Sequence, residues 1–249
     1  MQRYKIQLEY IGTNLVGWQK QKNGLSVQEI LENSLFKLTS EKRNIQGSGR
    51  TDAGVHALKQ VAHFDLKKEI KTDEIRDGLN FHIKKLFKNA KVSVLKCNKV
   101  KKDFNARFDA KERTYVYKIL DRRSPPAIEN KKVWHLKKKI NEKLMIKSSK
   151  ILLGKHDFSS FRSSECQARS PIKTINSIKI LRRKGLIEIW IKAPSFLHNQ
   201  VRIITGTLVL IGKEKWDKKK LLSVLKSKKR GSAGQTAPAH GLFLYSIKY

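Results

Sequence analysis

The hydrophobic period of this chain switches from that of a strand to that of a helix and back, and later does so again, which restricts the fold more than any other feature. In "RYKIQLEY", Tyr4, Ile6, Leu8 and Tyr10 fall on one face and Arg3, Lys5, Gln7 and Glu9 on the other, the alternation of a half-buried strand. In "SVQEILENSLFKL", Ser26 and Glu29 stand at capping-box spacing, and Val27, Ile30, Leu31, Leu35 and Leu38 recur at helical intervals, which predicts a helix. A short strand into Gly47, a strand through "QVAHF", a helix capped by Thr72 with Ile75, Leu79 and Leu86 inward, and a strand near "AKVSVL" complete the order βαββαβ.

The second half repeats the theme. It reads as a strand "RTYVYKIL", a helix from Asn141 to a stop at Gly154, and strands "TINSIKI" and "LIEIWIKA". A helix from Phe196 to Ile211, a short helix after Asp217 and a last strand "LFLYSIKY" follow. The expected fold class is therefore α+β: two split-βαβ (ferredoxin-like) halves, residues 1–108 and 109–249, forming a largely antiparallel central sheet with a cleft between them. No Gly/Ser or Pro-rich linker separates the halves near "NARFDAKE", so they are expected to pack rigidly.

Charge narrows the partner. The chain carries 55 Lys and Arg against 21 Asp and Glu, a formal net charge of +34, which repels itself unless a polyanion is near. Nucleic acid is the expected partner, and the cleft suits an RNA stem; a lysine bias of the source genome is the plainer alternative, because runs such as Lys218–Lys220 lie on solvated helix faces. Two cysteines, Cys97 and Cys166, supply neither a disulfide framework nor a zinc ligand set. The first residues alternate as a strand and do not read as a signal or transit peptide. The most apolar run, "IITGTLVLIG", is shorter than the roughly 20 residues needed to cross a bilayer. The expectation is a cytoplasmic protein with no membrane partner.

The stretch "GSGRTDAGVH" places one carboxylate, Asp52, among glycines and next to Arg50 and Thr51. It lacks the glycine spacing of a phosphate-binding loop. A metal site drawing on Asp52, His56 and His63 is disfavoured, because two histidines seven residues apart along a strand point to opposite faces. Two readings remain open from spacing alone: Asp52 closes an Asx turn, or it is a nucleophile or base held by glycine turns at the mouth of a sheet.

The wider pattern bears on that choice. "GSGRTDAGVHALKQVAHF" resembles the signature of the tRNA pseudouridine synthase A family, and the similarity continues at "VGWQKQ", "SVQEILE", "DFNARFDAKERTYVYKI", "HDFSSFR", "FLHNQVRIITGTL" and "TAPAHGLFLYSIKY". These blocks follow the family's order from the first strand to the last residue. Where the family shows a proline and an aspartate after the second helix, this chain reads "LNFHIKKLFKNAKV", which alters a loop and none of the chemical residues.

The resemblance implies a pseudouridine synthase fold and an isomerase acting on uridine at positions 38, 39 and/or 40 of the tRNA anticodon stem-loop. The C1′–N1 bond breaks, the base turns over and C5 rejoins C1′, with no cofactor and no metal. It implies Asp52 as the catalytic carboxylate, acting as nucleophile at sugar or base or as the base that removes a sugar proton. A partly buried carboxylate needs a neighbouring cation to stay ionised, and Arg202 is the family's candidate. The helix pattern agrees, since Arg202 lies off the apolar stripe Leu197, Val201, Ile204, Leu208 and Ile211. Tyr115 matches the family's base-stacking aromatic, with Tyr117 assigned to packing, and Arg50 is expected to fill the place of the displaced base. His198 is expected to line the pocket, and Arg107, Arg113, Arg162 and Arg169 to contact phosphates. The implied partners are tRNA and a second copy of the chain in a homodimer.

Overall fold

A computed structural model describes residues 1–183 and 185–249, and among them the chain divides into two compact units, Met1–Lys111 with Leu244–Tyr249, and Glu112–Phe243. The expected halves put the final residues with the second. They belong to the first because β11 (Leu242–Lys248) lies next to β3 (His56–Leu66) in the sheet and the Lys248 carbonyl accepts from the Lys111 N–H at 2.8 Å.

In the first unit, β1 (Gln2–Tyr10) is central, flanked by β3 and by β4 (Val92–Val100), both antiparallel to it, with Ile6 opposite Ala62 on one side and Cys97 on the other. The short β2 (Gln46–Gly47) pairs with β3. The inward face of β1 is fully buried at Tyr4, Ile6 and Leu8, and Tyr4 stacks on Phe64 at 5.8 Å. Against this sheet lie α1 (Val27–Thr39), contributing Ile30, Leu31 and Leu35, and α2 (Thr72–Leu86), contributing Ile75, Leu79 and Ile83. Each such side chain contributes about 1.5–3 kcal/mol through burial. Ser26 caps α1 as its sequence predicts, accepting from the Glu29 N–H at 3.1 Å. Thr72 does not cap α2: Lys71 holds the cap position without a side-chain bond, and Ile83 takes the inward place expected of Leu86, which is 40% exposed. Helical geometry puts Leu86 on the same stripe, about 20° around from Ile75, but it is the last residue of α2, where the helix ends, whereas Ile83 lies one turn inside it.

The second unit has β10 (Leu186–Ala193) between β5 (Glu112–Asp121) and β9 (Ser177–Arg183), all antiparallel, with Ile189 opposite Tyr117 and Ile180. The three-residue β6 (Trp134–Leu136) adds a parallel partner to β5, which sequence alone does not suggest. The expected strand "TINSIKI" is two strands. Its first part is β8 (Ile172–Ile175), which pairs with β7 (Gly154–Asp157), and the chain breaks at Asn176, whose N–H reaches the Lys192 carbonyl at 2.8 Å. The sheet packs on α4 (Gln200–Gly212), whose residues are nearly all buried, with α3 (Glu142–Ser149) beside it. A further helix, α5 (Lys218–Ser227), is capped by Asp217. Gly206 permits close approach to α4, because a Cβ there would meet the Gln235 carbonyl oxygen at 1.8 Å. Among the described residues no helix is long and apolar enough to cross a membrane.

Helix α4 starts four residues later than its apolar pattern suggests. Asn199, at φ 62°, stands before its first turn. The Leu197 N–H donates to the Gln200 side chain at 2.8 Å, and the His198 carbonyl accepts from the Ser163 N–H at 3.2 Å. These bonds draw residues 197–199 out of the helical ladder.

Candidate active site

The segment carrying Asp52 lies in the first unit, between β2 and β3, and its backbone is fixed on several sides. The Asp52 carbonyl accepts from the Val55 N–H at 3.1 Å, closing a turn in which Gly54 takes φ +79°, the positive angle that a type II turn requires at its third residue. The Thr51 carbonyl accepts from the Trp18 N–H at 3.0 Å, and the Leu15 carbonyl from the Gly54 N–H at 3.3 Å. Gly17, at φ +101°, lies directly beneath: a Cβ there would stand 2.4 Å from the Thr51 carbonyl oxygen and 3.0 Å from the Asp52 carbonyl carbon. At Gly12 a Cβ would fall 2.0 Å from the Val55 oxygen. The loop and the segment after β1 thus pack backbone to backbone, a contact only glycine permits.

Side chains complete the support. The Tyr10 hydroxyl is 2.8 Å from Thr51 Oγ1, and Gln60 Nε2 donates to the Gly49 carbonyl at 2.8 Å. Burial pushes the Tyr10 hydroxyl up to about 12, so it remains a neutral donor. His56 Nδ1 accepts from the Gly12 N–H at 2.9 Å and His63 Nδ1 from the Ala106 N–H at 3.2 Å. Both rings serve as backbone acceptors inside the fold. Asp52 itself is half-buried and Arg50 is exposed.

In the second unit, five of the expected residues gather along residues 194–202. The guanidinium of Arg113 donates to the Pro194 carbonyl at 2.5 Å, and the Tyr115 ring meets Phe196 edge to face at 5.2 Å. The His198 N–H donates to Cys166 Sγ at 3.3 Å, and Arg162 Nη2 donates to the carbonyls of Cys166 and Ala168 at 2.6 and 2.9 Å. Arg162 therefore braces the 162–168 loop as well as adding charge. Burial opposes ionisation of the Cys166 thiol, yet the N–H groups of Ala168 and His198 and the Arg162 cation favour the thiolate and bring the group below its ordinary value. Tyr115 is 9% exposed and Tyr117 fully buried, with the Tyr117 hydroxyl donating to the Pro238 carbonyl at 2.7 Å.

Arg202 is half-buried and held by its own unit: Nη1 donates to Asn199 Oδ1 at 2.6 Å and Nε to the Ala237 carbonyl at 2.8 Å, while the Ala237 N–H returns a bond to the Arg202 carbonyl at 3.1 Å. Its charge is felt locally. Burial, with Arg202 and Lys131 adding to it, holds the His240 imidazole below its usual value. Arg107 and Arg169 are exposed.

Tyr10, Gly12, Gly17, Trp18 and Gln60 were not picked out as site residues by sequence reasoning, although "VGWQKQ" belongs to the blocks that carry the resemblance. The usable signal is the pair of glycines, Gly12 and Gly17, placed either side of "TNLV" just after the first strand pattern, which marks close backbone approach.

The family model described as tRNA pseudouridine synthase matches residues 7–109 and 149–249. Curated relatives align over 99% of this chain and 100% of their own length. They are the tRNA pseudouridine synthase A of Wolbachia pipientis wMel, 48% identical over 248 residues, that of Ehrlichia chaffeensis, 46% identical, and that of Wolbachia sp. subsp. Drosophila simulans (strain wRi), 47% identical. With a braced carboxylate loop in one unit, a fixed arginine in the other and similarity along nearly its whole length, the chain belongs to the tRNA pseudouridine synthase family.

Proposed function

We propose that this protein isomerises uridine to pseudouridine in the anticodon stem-loop of tRNA, at positions 38, 39 and/or 40, with Asp52 as the reacting carboxylate. The observation that carries the assignment is the bracing of its loop. Backbone contacts at Gly12, Gly17 and Trp18 and side-chain contacts at Tyr10 and Gln60 converge on residues 49–55. A simple surface turn needs no such support, whereas a group that must meet one atom of a substrate does.

In this reading the C1′–N1 bond breaks, the released uracil turns while held, and C5 bonds to C1′; the proton lost from C5 is matched by one taken up at the freed N1, so that the product has the composition of the substrate. Asp52 acts ionised, and Arg202 is the cation assigned to keep it so. Tyr115 is assigned to stacking on the extruded base, and Arg50 to the space that base vacates. His198 lines the pocket, while Arg107, Arg113, Arg162 and Arg169 add positive charge for phosphates. A homodimer in the cytoplasm belongs to the same proposal, and light scattering of the purified protein tests the dimer.

The deciding experiment incubates the protein, with nothing added, with an unmodified tRNA transcript and maps pseudouridine along it. Asp52→Asn runs in parallel and is expected to bind tRNA but form no product. Pseudouridine formation by Asp52→Asn at the parent rate would remove Asp52 from its role. Product outside the anticodon arm would move the substrate assignment.

A further inference from the structure

The connection from β4 to β5 presents an aromatic side chain to solvent on a locked support. Phe108 is 77% exposed, more than Phe81 at 60% or Phe36 at 37%. The residues around it are anything but loose. Asn105 Oδ1 accepts from the N–H groups of Arg107 and Phe108 at 2.9 and 3.1 Å, and Asp109 Oδ2 accepts from the Asn105 N–H at 2.8 Å. The Asp109 N–H returns to the Asn105 carbonyl at 3.0 Å. Ala106, fully buried, ties this turn to the sheet through His63 and through the Tyr249 hydroxyl, 2.8 Å from its carbonyl. Phe104 is held by Tyr249 at 5.2 Å and by a bond from Arg3 to its carbonyl at 2.8 Å.

The Arg107 guanidinium carbon lies 5.6 Å from the centre of the Phe108 ring, the separation of a cation over an aromatic face. Single exposed apolar side chains are ordinary on protein surfaces; what sets Phe108 apart is its support, since a fixed turn avoids the ordering cost that a flexible loop meets on binding. An aromatic ring beside a guanidinium recognises a flat base next to a phosphate. The chain's net charge of +34 favours an anionic partner over an apolar protein surface.

We propose that Phe108, with Arg107 against it, is a stacking platform for an unstacked base of the RNA substrate. The proposal rests on the reading of this chain as a tRNA-modifying enzyme and adds a contact to it. The test measures binding of an unmodified tRNA transcript to the full-length protein at several salt concentrations, for the parent, Phe108→Ala, Phe108→Trp and Arg107→Ala. Phe108→Ala is expected to weaken binding by about 5- to 150-fold at every salt, with the salt slope unchanged, because a ring releases no counterions. Phe108→Trp is expected to bind like the parent, and Arg107→Ala to reduce the slope by about one.

Parent-like binding by Phe108→Ala overturns the proposal, as does equal weakness of the Ala and Trp variants. If light scattering shows that Phe108→Ala separates an oligomer that the parent forms without RNA, a second copy of the chain occupies this surface and the proposal also fails. Failure of the wider functional reading is separate: it appears as a parent protein that leaves tRNA unmodified.

Discussion

The Tyr10 hydroxyl lies 2.8 Å from Thr51 Oγ1, so the last residue of β1 is bonded to the residue immediately before Asp52. Both are buried, and Gln60, within 3.5 Å of the same hydroxyl, reaches the Gly49 carbonyl on the other side of the loop. Removing the hydroxyl while keeping the ring leaves Thr51 without this partner in a dry site, which costs about 1–2 kcal/mol. Tyr10→Phe is expected to lower stability by that amount and turnover at saturating tRNA by roughly 5- to 30-fold, the same energy expressed in the barrier. Urea denaturation and single-turnover kinetics check the two parts. A loss of stability with turnover unchanged would make the bond a fold contact only.

Gly17 makes a stricter prediction. Its φ of +101° is strained for any L side chain, and a Cβ would meet the Thr51 carbonyl oxygen at 2.4 Å, where only backbone can give way. Gly17→Ala must therefore move residues 51–53 or unfold the segment. The φ strain alone costs about 1–3 kcal/mol, and a displacement of about 1 Å at the reacting group costs on the order of 100-fold in rate. Turnover is expected to fall by at least that factor while tRNA binding stays within a few-fold of the parent. Turnover within three-fold of the parent would show that the loop does not need this contact.

These two predictions show where the sequence was readable. The alternation through Tyr4, Ile6 and Leu8 and the helical repeat through Ile30, Leu31 and Leu35 identified β1 and α1, because burial on one face leaves a periodic trace. Asp52, half-buried between glycines, stood out through the family's motif and not through spacing. Tyr10 falls on the inward face of the strand pattern, but periodicity does not reveal that its hydroxyl serves a loop 41 residues away. The late start of α4 was invisible for a similar reason: residues 197–199 have helical hydrophobicity and are drawn aside by bonds to Ser163 and Gln200. Tertiary hydrogen bonds of this kind leave no local pattern to read.

A second site missed by sequence reasoning yields the third prediction. Arg182 on β9 donates to both oxygens of Asp121 at 2.7 and 3.0 Å, to Glu142 at 2.9 Å and to the Ile140 carbonyl at 3.2 Å. The Asp121 side chain is 1% exposed. Arg182→Met is expected to destabilise the protein by about 3–5 kcal/mol, because it leaves a buried carboxylate without its cation. Asp121→Asn added to Arg182→Met removes the stranded charge and is expected to recover part of the loss. Denaturant titration of both variants checks this, and a double variant no more stable than the single one would place the cost in lost packing instead.

His63 links the sheet to the turn that presents Phe108, and its protonation gives a pH prediction. Burial, with the Arg3 cation adding to it, holds the imidazole below its usual value, while Asp65 and Asp109 act in the opposite sense and do not reverse the shift. Neutral His63 accepts the Ala106 N–H through Nδ1; the protonated ring has no lone pair there and becomes a donor. The folded state therefore binds the proton less readily than the unfolded chain, whose histidine titrates near pH 6.5. The stabilisation is fully present above about that pH, declines as pH falls below it, and levels off once the folded-state value is passed. Thermal unfolding of the parent is expected to shift to lower temperature between pH 7.5 and 5.5. In His63→Asn, whose Oδ1 can accept the same N–H without titrating, the shift is expected to shrink; His240, held below its usual value by burial, supplies the remainder with the same sign. Equal pH slopes for parent and His63→Asn would show that the Ala106 bond is not what protonation breaks.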